Sequence, residues 1–169
     1  MSLIEAQLSF QRGNVLERSK YNVDKDTEKR TYNGIVFDSV LEMRYYRDII
    51  LPGVESGNVK KYELQKKYVL IDGFQRNGKR VLPITYVADF YVEYADGHIQ
   101  VVDIKGMPDT TAKLKRKLFW YVYPDIDYVW ITYVKKYGGW GLYDDFAKTR
   151  RDEKREKKLN KHGFESKGD

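Results

Sequence analysis

Two short stretches carry acids where strands usually carry apolar side chains. Asp89 sits inside Tyr-Val-Ala-Asp-Phe-Tyr-Val (Tyr86 to Val92), and Asp103 and Lys105 sit inside Val-Val-Asp-Ile-Lys-Gly (Val101 to Gly106). Strand side chains alternate with period 2, so Asp103 and Lys105 share a face. Ala95-Asp96-Gly97 lies between the stretches, and its turn decides what meets what. A two-residue Asp96-Gly97 loop pairs Ala95 with His98 and puts the two aspartates on opposite faces. A three-residue loop pairs Tyr94 with His98 and sets Asp89 directly opposite Asp103, with Gly97 at the left-handed position of a type I turn and G1 bulge. We expect the three-residue loop. Opposed carboxylates repel by a fraction of a kcal/mol to about one. Burial raises that cost unless a proton or a cation intervenes. Mg²⁺ is the economical cation: it prefers hard oxygens and takes one or two carboxylates, leaving the rest to water and substrate phosphate. The Ile104 carbonyl is a further oxygen donor nearby. Beside Asp103, Lys105 would orient or deprotonate an attacking water, or stabilise charge on the phosphate. The chemistry these residues suit is metal-dependent phosphodiester hydrolysis.

The rest of the chain supplies elements to hold them. FDSVLEMRYYRDIIL (Phe37–Leu51) has Val40, Met43, Tyr46 and Ile50 at helical spacing. Ser39 and Glu42 form a capping box at its start, and Pro52-Gly53 is expected to end it. Val59–Ile71 alternates as a strand, with Tyr62, Leu64, Tyr68 and Leu70 expected on one side. Asn77-Gly78 signals a hairpin leading toward Ile84. Asp109–Tyr123 opens on capping residues and stops before Pro124, so it reads as a second helix with Leu114, Leu118 and Tyr121 on the buried side. Asp127–Val134 closes the set as an apolar strand. The order α-β-β-β-α-β predicts an α/β (α+β) domain with a mixed β-sheet flanked by helices.

The chain has 169 residues, 41% hydrophobic, which suits one domain with a real core, and no cysteine, which excludes disulfides and thiolate metal sites. No apolar run approaches the roughly 20 residues a membrane helix needs, and the N-terminus does not read as a signal peptide. The expectation is a soluble, intracellular protein. A net charge of +6 suits a polyanionic partner. The charge is concentrated in Ala147–His162, with eight Lys/Arg against three Asp/Glu. This stretch reads as a solvated helix or a disordered basic extension, either solubilising or phosphate-binding. Three regions follow: an arm at 1–31, a core at 32–143 and a basic tail at 144–169. Leu3, Ile4, Leu8, Phe10, Val15 and Leu16 give the arm an apolar side expected to pack on a partner subunit or the core.

Asp89, then Asp103-x-Lys105, with Glu42 on a preceding helix, resembles the PD-(D/E)XK nuclease superfamily. The likeness is to an uncharacterised phage branch akin to phage endonuclease I and the archaeal Holliday-junction resolvases. The segments that carry it are NGIVFDSVLEMRYY, YELQKKYVL, PITYVADFYVEY, VVDIKG and KLKRKLFWYVYP, in that order over roughly Tyr32 to Tyr133. Ala88 stands where the superfamily's name has proline. The resemblance implies a restriction-endonuclease-like fold, with Asp89 and Asp103 as metal ligands, Lys105 as the catalytic lysine and Glu42 as a helix-borne acid supporting metal or water. It implies Mg²⁺, with Mn²⁺ able to substitute. The implied partner is DNA, branched or Holliday-junction DNA in phage recombination, and the implied assembly is a homodimer in the cytoplasm of the host cell. Alternatives are a nuclease for nicked, single-stranded or linear ends, and a non-catalytic DNA-binding or packaging accessory protein.

Ordinary structural roles stand beside these. Glu42 could serve only the capping box. Asp89 and Lys105 could form an ion pair on a solvent-facing sheet, with Asp103 in the same network. The apolar neighbours Val101, Val102, Ile104, Ala88 and Phe90 weigh against that. Gln65 is read as a strand-surface residue, with reach to the site as the other reading. His98 and His162 have no partner at ligand spacing and are read as non-catalytic. Lys113 and Lys117, i and i+4 on the second helix, are expected to contact DNA, with Arg150, Arg151 and Lys154 of the tail.

Overall fold

The computed structural model describes residues 26–165, with side-chain detail through residue 160. A small hairpin, β1 (Thr31–Tyr32) and β2 (Ile35–Val36), leads into helix α1, which comprises an α-helical Val40–Tyr45, a π-helical Tyr46–Ile50 and an α-helical Leu51–Glu55. Strand β3 (Val59–Ile71) follows, then a ribbon of β4 (Phe74–Arg76) and β5 (Lys79–Val81), then β6 (Ile84–Tyr94) and β7 (Ile99–Ile104). Helix α2 (Thr110–Val122) crosses over to β8 (Asp127–Val134), and β9 (Gly139–Leu142) precedes helix α3 (Tyr143–Glu165). Five strands form a mixed sheet in the order β3-β6-β7-β8-β9, antiparallel except for the parallel pair β7–β8 that α2 connects. The expected α-β-β-β-α-β core is present, with β9 added at an edge.

Two apolar clusters cover the sheet. Tyr45, Tyr46, Ile50 and Leu51 of α1 meet Phe90, Val102 and Ile104 in one, while Phe119 of α2 meets Tyr86, Val101, Tyr128 and Trp130 in the other. Along β7 the assignment alternates, Val101 to the second cluster and Val102 to the first, so the clusters lie on opposite faces. Phe119 is fully buried, worth about 1.5–3 kcal/mol by area.

Three expectations need correcting. Pro52 and Gly53 do not end α1, which continues to Glu55. A proline ring clashes with the carbonyl four residues back in a regular α-helix. Here the turn before it is wider: the Leu51 N–H bonds the Tyr46 carbonyl five residues back, and the helix accommodates the ring. The inward side of β3 is not continuous either. Tyr62 and Leu64 belong to the α1 cluster, but Tyr68 and Leu70 belong to the α2 cluster. The change falls at Gln65, whose φ of +54° breaks the strand's alternation. Finally, Leu114 and Tyr121 are 57% and 85% exposed. Helix α2 is seated by Phe119, with Ala112 and Leu118 partly buried beside it, while the Lys115 ammonium caps the Thr85 carbonyl at 2.9 Å. Arg116 stacks on Trp120 and Trp130 and pairs with Asp144. Those anchors rotate the helix away from the face the leucine spacing suggested.

The arm residues from Leu3 to Leu16 lie outside the described residues. The basic stretch is a helix from Tyr143 onward, and its first turns are tied to the body through Asp144 and through Phe146, which stacks on Tyr137 at 5.2 Å. Among the described residues, no helix is long and apolar enough to cross a membrane.

Candidate active site

The β6–β7 hairpin takes the three-residue register. The Tyr94 N–H donates to the His98 carbonyl at 2.8 Å and the Gly97 N–H to the Tyr94 carbonyl at 3.0 Å, with Gly97 at φ +87°. The ladder runs to the pair Phe90–Val102, and its next step sets Asp89 level with Asp103. There the two strands part. In a continuing antiparallel ladder the Ile104 N–H would bond the Ala88 carbonyl. It donates instead to Asp89 Oδ2 at 2.7 Å. The Lys105 N–H keeps its bond to the Ile131 carbonyl at 2.8 Å, so β7 remains fixed to β8 while a carboxylate takes the place of a backbone acceptor on its other side.

Asp103 is 1% exposed and its Oδ2 lies 2.6 Å from the Lys105 ammonium. The Tyr128 hydroxyl lies 3.4 Å from the same oxygen and 2.6 Å from the Tyr86 hydroxyl, and it accepts the Trp130 indole N–H at 2.7 Å. Sequence reasoning missed this buried chain of Tyr86, Tyr128 and Trp130. Its members come from β6 and β8, and nothing in their spacing announces a shared partner.

Glu42 enters from the first turn of α1. Ser39 is the N-cap, accepting the Glu42 N–H at 3.1 Å, and its hydroxyl donates to Glu42 Oε1 at 2.7 Å. The other oxygen, Oε2, is buried with no hydrogen-bond partner. Capping and site roles therefore coexist in this side chain: one oxygen serves the cap, and the carboxyl also feels the charges of Asp103 and Lys105.

The electrostatics follow from burial. Desolvation pushes the Glu42 carboxyl up to about 7, with Asp38 and Asp103 adding to the rise against Ser39 and Lys105. Desolvation, then the charges of Glu42 and Asp103, hold Asp89 well above the ordinary carboxylate range. Burial pulls on the Lys105 ammonium in the opposite sense, but Asp103 and Asp89 outweigh it and keep the lysine above its usual value. Glu42 and Asp89 are thus raised by burial and by neighbouring acids around a single cation, and an added cation relieves both.

The donor set fits a hard divalent ion. The oxygens are carboxylate oxygens, two acids are held against their preference for ionisation, and Glu42 Oε2 lacks a partner. Among the described residues, no three His, Cys, Asp or Glu side chains converge closely enough to enclose an ion by themselves. An open Mg²⁺ site needs no such cage, since one or two carboxylates suffice.

Not every expected residue joins this centre. Lys113 and Lys117 are exposed on α2, and Arg150, Arg151 and Lys154 are exposed on α3, and no hydrogen bond or ion pair links any of them to the acids. His98 faces Asp127 at 3.3 Å at the start of β7, and His162 lies beyond the side-chain detail. Gln65 is exposed as expected, but flanking pairs Leu64–Phe90 and Lys66–Ala88 set it level with Asp89. A left-handed φ at a non-glycine residue costs roughly 1–2 kcal/mol, so β3 is strained beside the point where β6 and β7 separate.

Among curated proteins, none matches this chain. Residues 18–139, most of the chain and all of the centre just described, match the family model described as "Protein of unknown function (DUF1064)", and the protein belongs to that family.

Proposed function

We propose that this protein is a Mg²⁺-dependent endonuclease that hydrolyses DNA phosphodiester bonds, a member of the PD-(D/E)XK superfamily acting on branched DNA as a homodimer. The observation that carries the reading is that Glu42, Asp89, Asp103 and Lys105 act on one another electrostatically where β6 and β7 separate, with the Glu42 and Asp89 carboxyls raised by burial and by neighbouring acids. Asp89 and Asp103 would hold the ion, supported by Glu42. When bound, Mg²⁺ supplies Lewis-acid polarisation of the phosphate and a more acidic water, and Mn²⁺ can substitute. Lys105 keeps its proton beside Asp103, which suits it to stabilise charge building on the phosphoryl oxygens and to orient the attacking water. The Lys105 ammonium and the Tyr128 hydroxyl restrain the Asp103 carboxylate, and the buried Tyr86 and Trp130 contacts restrain Tyr128 in turn.

One such centre per chain implies a twofold dimer on a four-way junction, because productive resolution takes two symmetric cuts. The test is a synthetic four-way junction and a matched linear duplex incubated with the protein and Mg²⁺. Paired nicks near the branch, largely indifferent to sequence, are expected, with linear duplex cut much more slowly. Equal cutting of both, or purely end-dependent degradation, would remove branch selectivity and leave only the nuclease. No cutting of any DNA in Mg²⁺ or Mn²⁺ would remove the nuclease.

A further inference from the structure

Beyond the Ile71–Ile84 pair, the β3–β6 hairpin narrows into the two-stranded ribbon β4–β5, which belongs to no larger sheet. All six of its strand residues are exposed. The ribbon turns at Asn77-Gly78, with φ of +50° and +72°, the positive values a type I′ turn requires at both positions. From Phe74 to Val81 it carries Arg76, Lys79 and Arg80 and no acid. Among the described residues, no acid forms a salt bridge with any of the three.

The register makes this arrangement costly for a purely structural ribbon. Arg76 stands directly opposite Lys79, and like charges facing across antiparallel strands destabilise the pair. An isolated two-stranded ribbon is marginal already. A charge pattern that weakens the element in isolation is explained by a polyanion that neutralises it.

Its position suits the same substrate. Ile84 and Asp89 are five residues apart on β6 and Lys79 at the ribbon tip is five further, so the tip reaches up to about 34 Å from Asp89 at strand rise. Because β7 is antiparallel to β6, the end of β7 that carries Asp103 and Lys105 points toward the ribbon end of the sheet. That reach is about one turn of B-form duplex, and a two-stranded ribbon fits the major groove. The apolar residues at the ribbon's base, Phe74, Val81 and the 68% exposed Leu82, are the surface a second copy would cover. Charge decides against that occupant, since a symmetric contact there would bring two sets of three cations together.

We propose that the β4–β5 ribbon is a DNA-duplex contact, its basic tip entering a groove within about one helical turn of the phosphate at the acidic centre. The inference takes from the proposed function only that the substrate contains duplex DNA. The test is fluorescence anisotropy of the full chain on a labelled duplex and a labelled four-way junction, in chelator so that nothing is cut, across a salt series. The triple variant Arg76→Ala, Lys79→Ala, Arg80→Ala should bind about tenfold or more weakly, and the slope of log affinity against log salt should flatten by about 2–3, near one per lost phosphate contact. Lys79→Gln, which leaves the Asn-Gly turn and Arg76 intact, should flatten it by about 1 and guards against misfolding of the triple variant. An unchanged slope and affinity overturns the proposal. So does an unchanged slope with a change in sedimentation mass, which would make the ribbon a self-association surface. A wild-type protein that cuts DNA while the triple variant keeps its salt slope loses the ribbon and keeps the nuclease. The reverse pattern, ribbon-dependent binding without cutting, keeps the ribbon and loses the nuclease.

Discussion

Among the described residues, like charges face each other across antiparallel strands at two places, and the surroundings differ completely. Asp89 and Asp103 meet where β6 and β7 separate, and Asp103 is 1% exposed. Arg76 and Lys79 meet at the tip of a ribbon whose every strand residue faces water. In the first pair, burial and then the neighbouring charges of Glu42 and Asp103 make the Asp89 carboxyl resist ionisation. In the second, water and salt screen the repulsion within about 8–10 Å. The acid pair, half-buried at Asp89 and buried at Asp103, therefore calls for a specific cation at a fixed place. The exposed pair calls only for negative charge of any geometry. One is built for chemistry at a point, the other for holding an extended polyanion.

The comparison breaks most visibly at the acids and Lys105. Asp89→Asn, Asp103→Asn and Lys105→Ala should each lower Mg²⁺-dependent cleavage by about a thousandfold or more, because each removes stabilisation confined to the transition state. Duplex affinity in chelator should stay near the wild-type value, since the contacts that hold the DNA lie elsewhere. Single-turnover cleavage and anisotropy separate the two. An Asp103→Asn protein that cuts at the wild-type rate takes Asp103 out of the site.

A second effect, smaller and opposite in sign, concerns stability. The Glu42 carboxyl sits at about 7 in the fold against an ordinary 4.5, so between those values the folded chain binds more protons than the unfolded one. Stability then falls as pH rises through that window, is unaffected by this group below 4.5, and is flat again above about 7. The full cost at the alkaline end is about 3–3.5 kcal/mol, and Asp89 adds to it in the same direction. Glu42→Gln should therefore be the more stable protein above pH 7 when metal is chelated, and should lose that advantage as pH approaches 4.5. Denaturant melts at both ends of the window check this. A variant less stable than wild type throughout would mean that the Ser39 hydrogen bond outweighs the burial cost.

The residues made the acid pair legible because a three-residue turn with glycine in the left-handed position leaves one register, and register alone decides whether Asp89 meets Asp103. The strands Val59–Ile71 and Asp127–Val134 were legible to the residue for a related reason: β-branched and aromatic runs bounded by turns admit few other readings. Periodicity failed where something local overrode it. The positive φ at Gln65 moves half of β3 to the other cluster, and no pattern of apolar residues encodes a backbone flip at a polar position. Leucine spacing misjudged α2 because the Arg116–Trp130 stack, the Arg116–Asp144 pair and Phe119 fix its rotation, and those partners lie on other elements or are decided by packing. The Gly-Trp-Gly-Leu strand β9 was unread because two of its four residues carry no side chain to show alternation. The Tyr86–Tyr128–Trp130 chain is assembled by the sheet itself, from strands separated in sequence by a whole crossover.

The smallest expected effect tests the other half of the comparison. If the ribbon's charges are set for a partner rather than for the fold, removing one should scarcely change stability, and the sign should be favourable. Lys79→Gln relieves a repulsion between side chains in water, worth a few tenths of a kcal/mol at low salt. Screening should erase even that gain as salt approaches physiological levels, where the Debye length is about 8 Å. The Asn77-Gly78 turn is untouched, so the ribbon's register has no reason to change. Paired thermal melts at low and high salt measure it directly: a slight gain at low salt that vanishes at high salt is expected. A loss of about 1 kcal/mol or more would mean that Lys79 has a structural partner, and the contrast between a partly buried acid pair and a free basic pair would fail at its basic end.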